Sequence, residues 1–443
     1  MAVANGYGKV VTSGSVFMYD VGDTVNSYIG EPTTNYIWHQ NPRIDTSYES
    51  YMPEAGSGTI TQNHPGAIRV YNQNGSDISY YLNTGVGDWT NQRHAYWVYD
   101  SILARPVVRM YNQNGSWQSK YHNPGIGSFS NIGISAGTKY VISWLQYVES
   151  LDRSAYVGYY SYSNTYGYNN FWDGLQAAYN TKTYTWQRVY AIFTATNNGQ
   201  LGNYHGGYMY GHSVGSGELR IADVQLEVKT HPTQYSNSYT RSSTQGLLPI
   251  VSNSTIDLSN TSFDSNAQLI FDGTDDRILL SNFTNKPTTA ITCETIIKPT
   301  RPSVGTGTIR GGAISSTNSM YLGIIDSVDG GNTFAMHWAN QTVSSRVYNW
   351  NGQIPNNAYS YLVGTYDGIT ARAYLNGIEI WSTSQTGNIP DAEYYIGTYG
   401  GNPVDGVHNF NGYIPVAKIY NRALSALEVK QNYNKYKTRF NLP

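Results

Sequence analysis

Apolar and polar positions alternate most cleanly between residues 359 and 381. There Tyr359-Ser-Tyr-Leu-Val-Gly-Thr-Tyr is followed by Asp367-Gly368, a second alternating run, Asn376-Gly377 and a third run ending at Trp381. A period of two sends successive side chains to opposite faces of a strand, and Asp-Gly and Asn-Gly tolerate the positive φ of tight hairpin turns. The spacing predicts a three-strand meander. Residues 138–146, 185–194 and 218–227 predict three more strands, with Val189, Ala191 and Phe193 on one face of the second. Gln268-Leu-Ile-Phe and Arg277-Ile-Leu-Leu flank a turn at Asp272–Asp276.

Elsewhere the pattern changes. Ala67-Ile-Arg-Val-Tyr-Asn-Gln-Asn-Gly-Ser recurs forty positions on as Val107-Val-Arg-Met-Tyr-Asn-Gln-Asn-Gly-Ser. Both copies predict hairpins, and two copies are too few for a solenoid. Residues 156–184, crowded with Tyr, Asn, Gly and Ser, predict long loops. Residues 1–45, broken by Gly14, Gly22, Gly30, Pro32 and Pro42, predict an extended arm that anchors assembly, with extra edge strands as the plainer reading. Helix is signalled at the C-terminus alone. Ser425-Ala-Leu-Glu428 is a capping box, and Leu424, Leu427, Tyr433 and Tyr436 give an apolar stripe for about ten to twelve residues.

The expected organisation is all-β: two tandem jelly-roll sandwiches with an extended N-terminal arm and a short C-terminal helix. The arm spans 1–45, the first sandwich 46–232, a polar linker 233–250 and the second sandwich, with the helix, 251–443.

Composition supports this and narrows the function. Charged residues are 13%, while the chain holds 42 Tyr, 45 Gly and ten Trp, a mixture suited to pleated surfaces and turns. Net charge is −2 with no basic block, so a nucleic-acid surface is not expected. No apolar run reaches the ~18 residues of a membrane span, and the first twenty residues lack the apolar core of a secretory signal. Cys293 is the sole cysteine, which rules out an internal disulfide and fits folding in a reducing cytoplasm.

The second sandwich resembles the concanavalin A-like, laminin G-like jelly rolls. The resemblance rests on Phe271-Asp-Gly-Thr-Asp-Asp-Arg277, Ile291-Thr-Cys-Glu-Thr-Ile-Ile297, the meander, Tyr395-Ile-Gly397 and Phe410-Asn-Gly-Tyr-Ile-Pro-Val-Ala-Lys-Ile-Tyr-Asn-Arg-Ala-Leu-Ser425. The first resembles the galactose-binding-like jelly rolls of carbohydrate-binding modules, through residues 137–144, 185–193 and 221–227. The order of both is similar to that in structural proteins of tailed phages, notably phages of marine cyanobacteria. Arg93-His-Ala-Tyr-Trp-Val-Tyr-Asp100 and Tyr239-Thr-Arg-Ser-Ser-Thr-Gln-Gly-Leu-Leu248 also look like that group. This resemblance implies a fibre, a head decoration or another appendage.

Flat aromatic rings with polar edges suit pyranose C–H faces. Residues 156–172 hold eight aromatics, among them Tyr160, Tyr162, Tyr166, Tyr168 and Trp172; these are glycan-contact candidates and equally candidates for an oligomer contact. Trp338, Trp350 and Tyr399, near predicted loops, are further glycan candidates. Trp144 and Trp186 fall inside strand patterns and are expected to be structural. Asp272, Asp275 and Asp276 offer oxygen ligands suited to calcium, although the same residues make ordinary turns. No other cofactor is implied. No nucleophile elbow, phosphate loop or His-rich zinc motif occurs.

The expectation is a non-enzymatic virion structural protein, assembled in the host cytoplasm. Its partners would be other virion proteins, copies of itself (a trimer would suit a fibre) and a host-surface polysaccharide. A capsid cement without ligand is the alternative, and a polysaccharide depolymerase the third reading.

Overall fold

The computed structural model describes residues 9–36, 43–44, 70–71, 93–112, 119–120, 132–151, 155–163, 167–169, 184–195, 199–201, 206–211, 217–236, 240–300, 310–317, 320–326, 332–339, 344–384, 386–399 and 408–443. Among the described residues the fold is all-β with one C-terminal helix. The chain divides into two units: Met1–Pro32 with Ser242–Pro443, here the C-terminal unit, and Thr33–Arg241, here the inserted unit.

The C-terminal unit is a sandwich. Among the described residues one sheet runs, in spatial order, Ser262–Phe263, Leu269–Asp272, Asn411–Tyr420, Ile291–Pro299, Ser360–Tyr366, Thr370–Leu375 and Ile378–Ser384. The other runs Thr255–Ile256, Ile278–Ser281, Tyr394–Ile396, Arg310–Ser316, Met320–Asp326, Asn332–Ala339 and Ser344–Ile354. Their inward side chains, including Phe271, Leu322, Phe334, Leu362, Ile396 and Ile419, form one buried core. The meander appears as predicted. Asn376 (φ 51°) and Gly377 (φ 76°) both take the left-handed conformation of a tight hairpin turn, and a Cβ on Gly377 would meet the Tyr433 ring at 2.9 Å.

The segment expected as an arm is extended at Ser15–Asp20, but it is paired. It lies antiparallel to Asn411–Tyr420, with Phe17 opposite Ile419 and Tyr19 opposite Ala417. Phe17 and Tyr19 are fully buried in the core. Sequence order is therefore nested: one strand of the C-terminal unit, then the inserted unit, then the remainder of the C-terminal unit. Where the chain leaves and returns, the amides of Ile29 and Gly30 both donate to the Gly246 carbonyl, at 2.9 and 3.1 Å.

The helix Ala426–Phe440 has 15 residues, longer than predicted, and the Ser425–Glu428 capping box is formed. Its buried side is Val429, Asn432, Tyr433, Tyr436 and Phe440. Leu427, placed in the stripe from sequence, is 83% exposed. At ~100° per residue it lies well off the face shared by positions 429, 433, 436 and 440.

In the inserted unit one sheet runs Gln187–Thr194, Lys139–Leu151, Gly217–Glu227, Arg105–Asn112 and Arg93–Asp100; a second runs Gly167–Asn169, Ala155–Ser163, Gly206–Gly211 and Ser119–Lys120. Part of the stretch expected as long loops is thus a hairpin, with Tyr162 opposite Tyr168. Tyrosine's fit to pleated surfaces outweighs the turn signal of the intervening Gly and Asn. Residues 164–166 and 170–183, and both repeated Asn-Gly turns, lie outside the described residues.

The polar segment expected as a linker is held on both sides. Thr233 accepts from Gln225 and donates to Glu227, and the Ser236 amide donates to the Gln225 side chain at 2.6 Å. Thr240–Arg241 pairs with Thr33–Thr34, and Leu247 is fully buried in the C-terminal unit. Thr233, Ser236 and Arg241 are buried with protein partners for their polar groups, which a polar stretch of sequence does not signal.

Candidate functional site

The best-defined candidate site sits on the C-terminal unit where Leu269–Asp272 turns towards Ile278–Ser281. Asp272 caps its own turn, its carboxylate accepting from the Thr274 amide at 2.7 Å. The Asp276 carboxylate accepts from the Asp272 amide at 2.7 Å and from the Ser262 hydroxyl at 3.2 Å. This back-bonding folds the five-residue connection, 273–277, tightly. The carboxylates of Asp272, Asp275 and Asp276 converge, with ligand atoms within 4.8 Å of one another; the first two are exposed and the third buried.

Burial first, and the charges of Asp272 and Asp275 with it, push the Asp276 carboxyl up to about 6. A cation held by all three would relieve that repulsion. The donor set, oxygen throughout with two carboxylates facing solvent, fits a hard divalent cation such as calcium. Asp272, Asp275 and Asp276 would hold it.

The strand following residue 408 fastens this turn. The side chain of Asn409 donates to the Thr274 carbonyl, and that of Asn411 donates to the Asp272 carbonyl at 2.5 Å. A Cβ on Gly273 (φ 79°) would meet Asn411 at 2.8 Å, so glycine is required at the tip. On the other side of Asn409, the His408 ring stacks on Tyr399 at 5.3 Å and 22°, and the Tyr399 amide donates to the His408 carbonyl. Tyr321 meets Tyr399 edge-on at 4.8 Å. An acidic turn and an aromatic stack are therefore tied to the two sides of one asparagine.

Sequence reasoning singled out the three aspartates and Tyr399, which the fold brings to this neighbourhood. It missed His408, Asn409 and Asn411, because a lone His and two Asn after a Gly-rich stretch of sequence carry no periodic signal. The other glycan candidates are elsewhere. Tyr160, Tyr162 and Tyr168 have their backbones on strands of the inserted unit, while Tyr166 and Trp172 lie outside the described residues. Trp338 and Trp350 stand on the strands Asn332–Ala339 and Ser344–Ile354 rather than in loops. Trp144 is buried in the inserted unit as expected; Trp186 is half-buried and donates to Asp100 at 3.3 Å.

Residues 272–430 match the concanavalin A-like lectin/glucanases superfamily, in its laminin G-like form, so this region carries a concanavalin A-like domain. No curated protein matches the chain. Among solved structures, domain 4 of an extracellular GH43 arabinanase from Geobacillus stearothermophilus, in complex with arabinotriose, is 16% identical. That match covers 41% of this chain and 83% of the other, at a TM-score of 0.30. A sialidase CBM40 from Ruminococcus gnavus, bound to α2,3-sialyllactose, is 15% identical over 37% of this chain and 91% of its own, at 0.28. A heptameric SAP-like pentraxin from Limulus polyphemus is 16% identical over 36% and 78%, at 0.27.

Proposed function

We propose that the protein is a non-enzymatic structural subunit of a virus particle whose C-terminal unit binds a host-surface glycan at the edge formed by residues 272–276, Tyr399 and His408. The observation that carries the glycan reading is the convergence of three carboxylates on a turn bonded by Asn409, the chain neighbour of His408 in the Tyr399–His408 stack, on a domain of the lectin class. Calcium takes about six to eight oxygen ligands. The carbonyls of Asp272 and Thr274 are turned to Asn411 and Asn409, which leaves further positions to water or sugar hydroxyls. A bound cation would supply a fixed positive charge for vicinal hydroxyls, while the Tyr399 ring takes an apolar sugar face. The virion role is supported by the likeness of the sequence to tailed-phage structural proteins. Copies of the chain and other virion proteins are then its partners.

A raised carboxyl beside other carboxylates is also what a glycosidase uses, but the geometry favours the cation. Retaining and inverting enzymes hold their two carboxyls about 5–9.5 Å apart across the sugar. Here three acids crowd within 4.8 Å, and the raised one is buried with its two oxygens taken by the Ser262 hydroxyl and the Asp272 amide.

The test is glycan-array binding of the full chain with calcium or with chelator. Binding that needs calcium and is lost in Asp275→Asn and Tyr399→Ala is expected. A flat array under both conditions would favour the cement reading, and release of reducing sugar from host polysaccharide would replace it with a depolymerase.

A further inference from the structure

The five-stranded sheet of the inserted unit carries a second cluster whose chemistry the C-terminal unit does not explain. Arg220 stands opposite Tyr147 on one neighbouring strand and opposite Arg109 on the other, so all three share a face. The Arg220 guanidinium lies over the Tyr147 ring at 5.3 Å. One of its terminal nitrogens donates to Asp100 at 2.8 Å and the other to Glu149. Asp100 is fully buried and also accepts from the amides of Ile102 and Leu103, so it fixes the guanidinium. At the other end the side chains of Arg220 and Glu149 are 25% and 21% exposed.

Aromatic rings converge there. Tyr147 meets Trp186 at 5.5 Å and Tyr184 at 6.5 Å. Tyr184 is 69% exposed, and its φ is +58°, a left-handed conformation that a bulky residue rarely adopts. Its amide donates to the Val148 carbonyl at 2.8 Å, which keeps the backbone in place. Strain spent on holding a large ring out in solvent is characteristic of sites that meet a ligand. The remaining half of this face is occupied by the protein's own segment 231–236, with Tyr235 under Arg188 at 5.8 Å.

We propose that Tyr147, Tyr184, Trp186, Arg220 and Glu149 form a second sugar subsite, selective for a neutral pyranose. The rings supply apolar faces set at angles to one another, fitting the C–H surface of a pyranose. Glu149 accepts from its hydroxyls and Arg220, orientated by Asp100, donates to them. Charge decides between neutral and anionic sugars. Both terminal nitrogens of Arg220 already engage carboxylates, those of Asp100 and Glu149. A sialic or uronic acid would have to compete with those two carboxylates for Arg220 and would meet the charge of Glu149.

The test uses the full chain against neutral gluco-, manno- and galacto-oligosaccharides and against sialylated and uronic ones, by glycan array and then calorimetry. A neutral ligand that binds equally with chelator present is expected, and Tyr184→Ala should weaken it by about tenfold or more. Tyr184→Gly should weaken it as much while melting at the same or a higher temperature, since glycine accepts the positive φ. Binding confined to anionic sugars, neutral binding that survives Tyr184→Ala, or a destabilised Tyr184→Gly would each overturn the proposal. Dependence on calcium and on Tyr399 marks the other site, so the two readings fail separately.

Discussion

Each unit builds a cation–carboxylate centre against aromatic rings, and the two differ in how far they are closed. In the C-terminal unit Glu294 and Lys418 stand opposite each other on neighbouring strands, with N–O 2.7 Å and both side chains fully buried. The other Glu294 oxygen accepts from Asn432 of the helix at 2.6 Å, and Lys418 lies 4.6 Å from the Tyr436 ring. Asn432 in turn accepts from the Val11 amide at 2.7 Å, while the Tyr420 hydroxyl donates to the Val11 carbonyl at 3.0 Å. In the inserted unit Arg220 bridges Asp100 and Glu149 with a quarter of its side chain in solvent and Tyr184 projecting beside it. A closed centre spends its hydrogen bonds on other parts of the chain and so fixes structure. An open one keeps ring and carboxylate surface for something else. Charge pairs alone do not announce function; what remains accessible around them does.

Breaking the closed centre should give the largest effect. Lys418→Met leaves the Glu294 charge buried and unpaired, which costs about 3–5 kcal/mol. Calorimetry or urea unfolding of the full chain should show the transition of the C-terminal unit moving while that of the inserted unit stays. Adding Glu294→Leu should restore most of the loss, because an apolar pair needs no desolvated charge; failure of that rescue would mean the pair does more than match itself.

Asn432→Leu comes next. It removes the donor to Glu294 and the acceptor for Val11, and each buried group left without a partner costs about 1–3 kcal/mol. The segment around residues 9–14 should then be nicked by protease under conditions that spare the wild type.

At the open centre, Glu149→Gln should change stability by no more than about 1 kcal/mol, since glutamine still offers Arg220 an acceptor and the other guanidinium nitrogen stays on Asp100. Its effect should fall on neutral-sugar affinity instead. A large stability loss here would erase the contrast between the two centres.

The smallest effects are in pH. The Asp276 carboxyl, raised to about 6, binds its proton more tightly folded than unfolded. Its unfavourable contribution is therefore absent below about pH 4 and grows as pH rises through about 6. In chelator, the C-terminal unit should melt slightly higher at pH 5 than at pH 7, and Asp276→Asn should flatten that slope. Glu428 runs the opposite way. Its bonds to Arg422, and then to Ser425, hold it down at about 2, so its contribution is present above about pH 4.5 and fades as pH falls towards 2.

The features legible from residue order alone lie within short reach along the chain. The all-β class, the meander with its Asp-Gly and Asn-Gly turns, the capped helix and the acidic turn each follow from neighbours a few residues apart, through pleat period, turn conformation and hydrogen bonds between near positions. Period two says which side chains share a face but not which strand lies alongside. Tertiary structure alone decided that Ser15–Asp20 pairs with Asn411–Tyr420, and that Val11 meets Asn432, 421 residues away. It also decided that Tyr147, Trp186, Arg220 and Asp100 converge. The physical reason is that pairing between distant strands is selected by burial of the whole core, a sum over many side chains that no local pattern records.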